Sequence, residues 1–128
     1  MHYQPEGYTT VSPYLSVKNV DAVIKLKQKA FGAELTERIT GPDGESRHCE
    51  VKIGDSIIMI GPAHEHSPPS RTMLYIYMPD ANETYQKAIA AGAESMMEPT
   101  QTFYGDINAG VKGPEGNLWW IATHTEDV

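Results

Sequence analysis

A chain of 128 residues with net charge −7 at pH 7 and 40% hydrophobic residues is sized for one domain around one core and has neither a disordered nor a membranous composition. Its longest apolar runs, Ile57 to Ile60 and Leu118 to Ala122, fall far short of the roughly 20 residues that span a bilayer. Residues 1–61 carry 7 basic and 8 acidic side chains and the remainder 3 and 9, so no basic stripe invites nucleic acid.

In chain order, Thr10 to Lys18 alternates as a strand, with Val11, Pro13, Leu15 and Val17 on one face and Ser12, Tyr14 and Ser16 on the other. A helix over Val20 to Phe31 follows, closed by Gly32, where a left-handed conformation costs glycine nothing. Lys25, Lys27 and Lys29 are expected on its solvated face. Strands near Glu34 to Thr40, Arg47 to Ile53 and Ser56 to Gly61 are separated by the turns Gly41-Pro42-Asp43-Gly44 and Gly54-Asp55. Alternation in the middle strand places Cys49, Val51 and Ile53 under the helix and points His48, Glu50 and Lys52 away from it. Cys49 is the sole cysteine, so no intrachain disulfide can form, and its neighbours make it a small buried residue. Pro62 to Arg71, with His64, His66 and Pro68-Pro69, is expected to be a mobile polar loop able to act as a lid.

The second half repeats the plan at an offset of 60 to 62 residues: a strand over Thr72 to Met78, a helix over Ala81 to Ala91, then strands near Ser95 to Pro99, Ile107 to Lys112 and Asn117 to Thr123. Asp80 with Glu83 forms the start of a capping box, and Tyr85, Ala88 and Ile89 make the apolar stripe. Leu74, Ile76 and Met78 face the helix, leaving Met73, Tyr75 and Tyr77 on the open side. The expected architecture is therefore α+β, with two βαβββ modules (about 8–61 and 72–124) forming one domain. If the helix-free faces of two curved sheets turn toward each other, they enclose a cleft suited to a small molecule.

Two chemical features stand out. His48 and Glu50 project to one face of one strand, a spacing suited to a base and its partner, to two ligands, or to a polar pair at a cleft rim. Tyr14, Tyr75, Tyr77 and Trp120, with Phe103 and Tyr104 in the following loop, offer flat apolar area with hydrogen-bonding tips. They suit either a flat or cationic ligand or plain packing between sheets. Asp106 reads as a turn residue and His124 as a position past the last strand.

The segments Pro13-Tyr14-Leu15, Phe31-Gly32-Ala33, Gly41 to Gly44, His48 to Ser56, Tyr104-Gly105-Asp106 and Ala122-Thr123-His124 resemble, in order and spacing, the glyoxalase/bleomycin-resistance/dioxygenase superfamily, the vicinal oxygen chelate fold, and more narrowly its PhnB-like branch. The resemblance implies a homodimer, with clefts at or near the subunit interface. It also implies a divalent metal held by His, Glu or Gln from the first and fourth strands of each module. Mapped onto this chain those positions fall on Ser12, Ile58, Met73 and Trp120, none of them a carboxylate or imidazole. The expectation is a cytoplasmic small-molecule binding protein without metal or other cofactor, sequestering a hydrophobic or cationic compound in a cleft lined by Ser12, Tyr14, Ile58, Met73, Tyr75, Tyr77, Phe103, Tyr104 and Trp120. The alternative is a lyase, isomerase or dioxygenase using His48 and Glu50 as base or relocated ligands.

Overall fold

In the computed structural model, which describes residues 2–128, each half folds as strand, helix and three strands. The elements are β1 (Tyr14–Val17), α1 (Val20–Phe31), β2 (Glu34–Thr40), β3 (Ser46–Ile53), β4 (Ser56–Pro62), β5 (Met73–Tyr77), α2 (Ala81–Ala90), β6 (Glu94–Gln101), β7 (Asp106–Lys112) and β8 (Leu118–His124). Two four-stranded sheets result, ordered β1-β4-β3-β2 and β5-β8-β7-β6, with the first strand of each module parallel to the fourth.

Both helices start on a side-chain cap. Asn19 accepts from the Ala22 amide and Asp80 from the Glu83 amide, each quenching a donor that the first turn leaves unpaired. Glu83 does not complete the expected box among the described contacts; its carboxylate instead pairs with Lys87 one turn on. Gly32 closes α1 at φ 67° and Gly92 follows α2 at φ 108°, the left-handed backbone expected of them. The edge strands β2 and β6 carry bulges at matching places, between Leu35 and Glu37 and between Ser95 and Met97.

The core lies on the helix-bearing faces. Leu15, Val17, Cys49, Val51, Ile58 and Ile60 from the first sheet, and Ala109, Val111, Trp119 and Ile121 from the second, join Val23, Phe31, Tyr85 and Ala88 of the helices in one buried cluster. The helices lie against each other, and Phe31 of α1 packs on Trp119 of β8 with ring centroids 5.0 Å apart. The modules are thus joined through the helix side.

Four expectations need correction. The first strand is shorter than predicted: proline has no amide to pair, so Ser12 and Pro13 lie outside β1, and Val11 is 82% exposed rather than packed with Leu15 and Val17. Lys27 is not on a solvated face but completely buried, because the face turned from the first sheet is covered by the second module. The segment between the modules is not a free lid. Ala63 donates to Val17 O, Ser70 donates to Ser16 O, and Asn117 Oδ1 accepts from the Thr72 amide, so the segment straps the edge of β1 and buries Ser16. Finally, His124 is the last residue of β8 rather than beyond it.

Candidate functional site

The open faces carry the candidate residues as alternation requires. On β3, His48 and Glu50 face away from α1 while Cys49 and Val51 are fully buried beneath it. Across the sheet, Glu50 is paired with Met59 and Val51 with Ile58. Ile58 therefore faces the helix, 5% exposed, and the open-face residue of β4 is Met59. The repeat confirms the correction: Tyr14 pairs with Met59 and, 61 residues on in both strands, Tyr75 pairs with Trp120. The residue equivalent to Trp120 is Met59, one place from the predicted Ile58, because the β7–β8 loop is longer than the β3–β4 turn and shifts the local offset.

Where the edge strands β1 and β5 approach, an open cavity of about 770 Å³ runs along the seam between the modules. Tyr14, Met73, Tyr75 and Tyr77 line it together with Leu15, Phe31 and Trp119, and Ile58 reaches it from the helix side. Ser12, His48, Glu50, Phe103, Tyr104 and Trp120 are not among its lining residues. Thr9, Val11 and Pro13 of the N-terminal segment contribute to the wall, a contribution the truncated β1 makes possible.

Two polar networks anchor the open faces, and sequence reasoning reached only part of each. In the first module Glu50 is 7% exposed. One of its carboxylate oxygens lies 2.8 Å from His48 Nε2, and the other accepts from the Tyr8 hydroxyl. That bond raises the Tyr8 pKa above the ordinary phenol value, since a carboxylate acceptor favours the protonated phenol. The Tyr14 ring lies 5.8 Å from the His48 ring. Tyr8 was missed because it sits 42 residues from Glu50 in a segment without periodicity.

In the second module Asp106, 1% exposed, is a hub. Its Oδ2 accepts from Tyr75 Oη at 2.7 Å and Tyr77 Oη at 3.1 Å, and its Oδ1 lies 2.8 Å from His124 Nδ1. The bond from His124, then that from Tyr75, holds the Asp106 carboxyl below its usual range. His124 bridges a second carboxylate, Asp127, through Nε2 at 2.7 Å, and Asp127 followed by Asp106 raises its pKa. Burial pushes Tyr75 upward, reinforced by its bonds to Tyr104 and Asp106. The Tyr75 and Tyr77 protons are therefore committed to Asp106; the Tyr75 oxygen in turn accepts from Asn108 Nδ2 at 3.4 Å, and the Tyr77 oxygen keeps its acceptor capacity. Phe103 is 93% exposed and stacks edge-on against Tyr104, whose hydroxyl accepts from Asn108 Nδ2 at 3.0 Å. The aromatic-Gly-Asp sequence was visible; that its aspartate gathers two tyrosines of β5 was not.

In the corrected register, the positions the resemblance assigns to metal ligands are Ser12, two residues before β1, with Met73 of β5, Met59 of β4 and Trp120 of β8, a donor set without carboxylate or imidazole that does not fit a divalent cation. Among the described residues no three His, Cys, Asp or Glu side chains converge in a metal-holding group.

Residues 7–121 match the family model described as Glyoxalase/Bleomycin resistance protein/Dioxygenase superfamily. The chain belongs to that superfamily. Its fold is shared with TioX from Micromonospora sp. ML1 (20% identity, TM-score 0.73, covering 89% of this chain and 98% of that one). It is also shared with TnmS3, an antibiotic binding protein from Streptomyces sp. CB03234 (16%, 0.72, 92% and 100%). An uncharacterized protein of Mycobacterium tuberculosis (strain ATCC 25618 / H37Rv) is 24% identical over 129 residues, covering 92% of this chain and 76% of the relative. Within the superfamily, identities at this level speak for the fold alone.

Proposed function

We propose that this superfamily member binds a hydrophobic or cationic organic compound and sequesters it without a divalent metal. The observation that carries this is the seam cavity, whose about 770 Å³ falls within the usual range for small-molecule sites. Its wall of Tyr14, Tyr75 and Tyr77 over a floor of Leu15, Phe31 and Trp119 offers flat apolar area, and Asp106, by engaging the Tyr77 proton, leaves that phenol oxygen as an acceptor suited to a donor-bearing or cationic ligand. The antibiotic-binding TnmS3 supports the same use of the fold. Ile39 and Met96 are large apolar side chains about half exposed on the edge strands β2 and β6, and a homodimer that covers such surface is part of the same proposal. Cytoplasmic residence and membership of the PhnB-like branch are part of the same proposal.

Calorimetry and tryptophan fluorescence test it, with bleomycin and the cationic dye thioflavin T as probes and zinc and manganese as controls. Saturable binding of a probe is expected, weakened about tenfold by Tyr75→Ala, the loss of roughly one aromatic contact. Micromolar metal binding abolished by Glu50→Ala would sink the reading. A second reading, an enzyme using His48 and Glu50, is favoured by the Tyr8–Glu50–His48 chain of bonds. It requires His48→Ala to abolish whatever turnover a metabolite screen detects, and unchanged turnover dismisses it.

A further inference from the structure

A second groove, sharing no lining residue with the tyrosine seam, lies where the start of α1 meets the inter-module strap and the β7–β8 loop, with a volume of about 500 Å³. Its charge is opposite to that of the chain. Of ten cationic side chains, Lys27, Arg38, Arg47 and Lys87 have ion-pair partners among the described residues. Three of the other six, Lys18, Arg71 and Lys112, line this one groove. They come from three separate stretches of chain: the β1–α1 junction, the strap and the end of β7. Like charges gathered around one concavity raise each other's energy, and a bound anion relieves that repulsion. The Arg71 stem lies over Gly116, where an added Cβ would sit 3.8 Å from Arg71 Cγ, so the β7–β8 loop supports the side chain beside the groove it lines.

Beside these cations lies Glu115, also a lining residue. Its side chain is 4% exposed, Lys27 Nζ is 3.9 Å away, and neither carboxylate oxygen accepts a hydrogen bond. Buried polar oxygens of this kind are normally satisfied by protein, water or ligand. The Lys27–Glu115 pair is neutral overall, so the groove keeps the charge of its three free cations, and two unpartnered acceptors lie buried in its wall. Such a site matches a ligand that carries a compact anion and, on the adjoining carbon chain, a hydroxyl donor.

We propose that this groove binds a small hydroxylated phosphate monoester, with Lys18, Arg71 and Lys112 holding the phosphate and Glu115 accepting from a hydroxyl. Arg71 supplies the forked donors suited to phosphate oxygens, and the two lysines act as point charges. The proposal does not depend on the reading of the tyrosine seam.

The test is a ¹⁵N NMR titration of the full chain at low salt with glycerol 3-phosphate, inorganic phosphate and glycerol as probes. Glycerol 3-phosphate is expected to give saturable shifts at the amides of Ala22, Lys112 and Gly116, to bind several-fold more tightly than inorganic phosphate, and to weaken as salt is raised. Glycerol alone should leave the spectrum unchanged. Arg71→Ala and Lys112→Ala, both exposed positions, should each weaken binding roughly tenfold, the scale of one charge-assisted contact. Lys52→Ala, which removes an unpaired cation elsewhere, should not. Glu115→Gln, checked for fold by its amide spectrum, should narrow the preference for glycerol 3-phosphate over inorganic phosphate. Absence of saturable shifts with glycerol 3-phosphate overturns the proposal, as does Lys112→Ala binding like the unaltered chain. Equal affinity for the two phosphates overturns the role of Glu115.

Discussion

Lys27 offers the sharpest test of how the modules are joined. Its ammonium is completely buried between α1 and the second module, 4.5 Å from the centroid of the Trp119 ring and without a hydrogen-bond partner. Burial lowers its pKa from the ordinary 10.5 to about 8, against which Glu115 acts only in part. At 1.36 kcal/mol per pH unit this displacement is worth about 3 kcal/mol. The sign follows from proton binding: between pH 8 and 10.5 the unfolded chain holds the Lys27 proton and the folded chain does not, so stability rises with pH. Below pH 8 the folded protein carries the full penalty of a buried charge; above 10.5 the penalty is gone. Removing Lys27 alone would strand Glu115, a loss known to be costly in buried pairs, so the informative variant is Lys27→Met with Glu115→Gln. Urea unfolding of both proteins from pH 7 to 10.5 gives a difference curve in which other titrating groups cancel. The unaltered chain should gain on the double variant by about 3 kcal/mol across that range. A flat difference curve would refute a desolvated Lys27.

Further outcomes follow from the site and the core. Asp106→Asn should move the His124 pKa down toward its ordinary 6.5, since one of the two carboxylates that raise it is lost; an unmoved imidazole titration by NMR would contradict the network. In the unaltered chain the His124 contribution to stability is present below pH 6.5 and lost as pH rises through the raised folded value. Phe31→Ala should cost about 3 to 5 kcal/mol in urea unfolding, because the ring, 4% exposed, packs against Trp119 of the other module; a cost below about 1 kcal/mol would mean the modules do not depend on it. Gly105→Ala should detach the C-terminal segment, as the position has φ 92° and an added Cβ would collide with the Glu126 carbonyl. Hydrogen exchange at Thr125 and Glu126, which donate to Gly105 O, should then accelerate, and unchanged protection would rule this out. Gly110→Ala should displace Trp120, whose ring would lie 2.5 Å from the new Cβ, at a cost of about 1 to 3 kcal/mol. Unaltered tryptophan emission together with unaltered stability would refute that packing.

How much could be read in advance divides along the range of the interactions. The helices end within a residue of expectation because their signals, Asn19 and Gly32 or Asp80 and Gly92, lie next to the backbone they cap. The faces of β3 follow from strict alternation, which is why Cys49 and Val51 are buried and His48 and Glu50 share the open side. The position across from Glu50 was misplaced by one residue, since a repeat offset counted through loops of unequal length does not preserve pairing register. Lys27 was misjudged for a different reason: the helix pattern reports which face meets the helix's own sheet, and a second module arriving on the flank leaves no periodic trace.

The sequence by itself determined two βαβββ modules, their caps and turns, and which strand residues sit on the open faces, because these depend on neighbours a few positions apart. Only the tertiary structure decided that the modules join through the helices, that Tyr8 reaches Glu50 and that Asp106 gathers Tyr75, Tyr77 and His124. Those contacts close over separations of 18 to 42 residues. Their partners are chosen by burial and by the need to satisfy a desolvated carboxylate, neither of which is encoded locally.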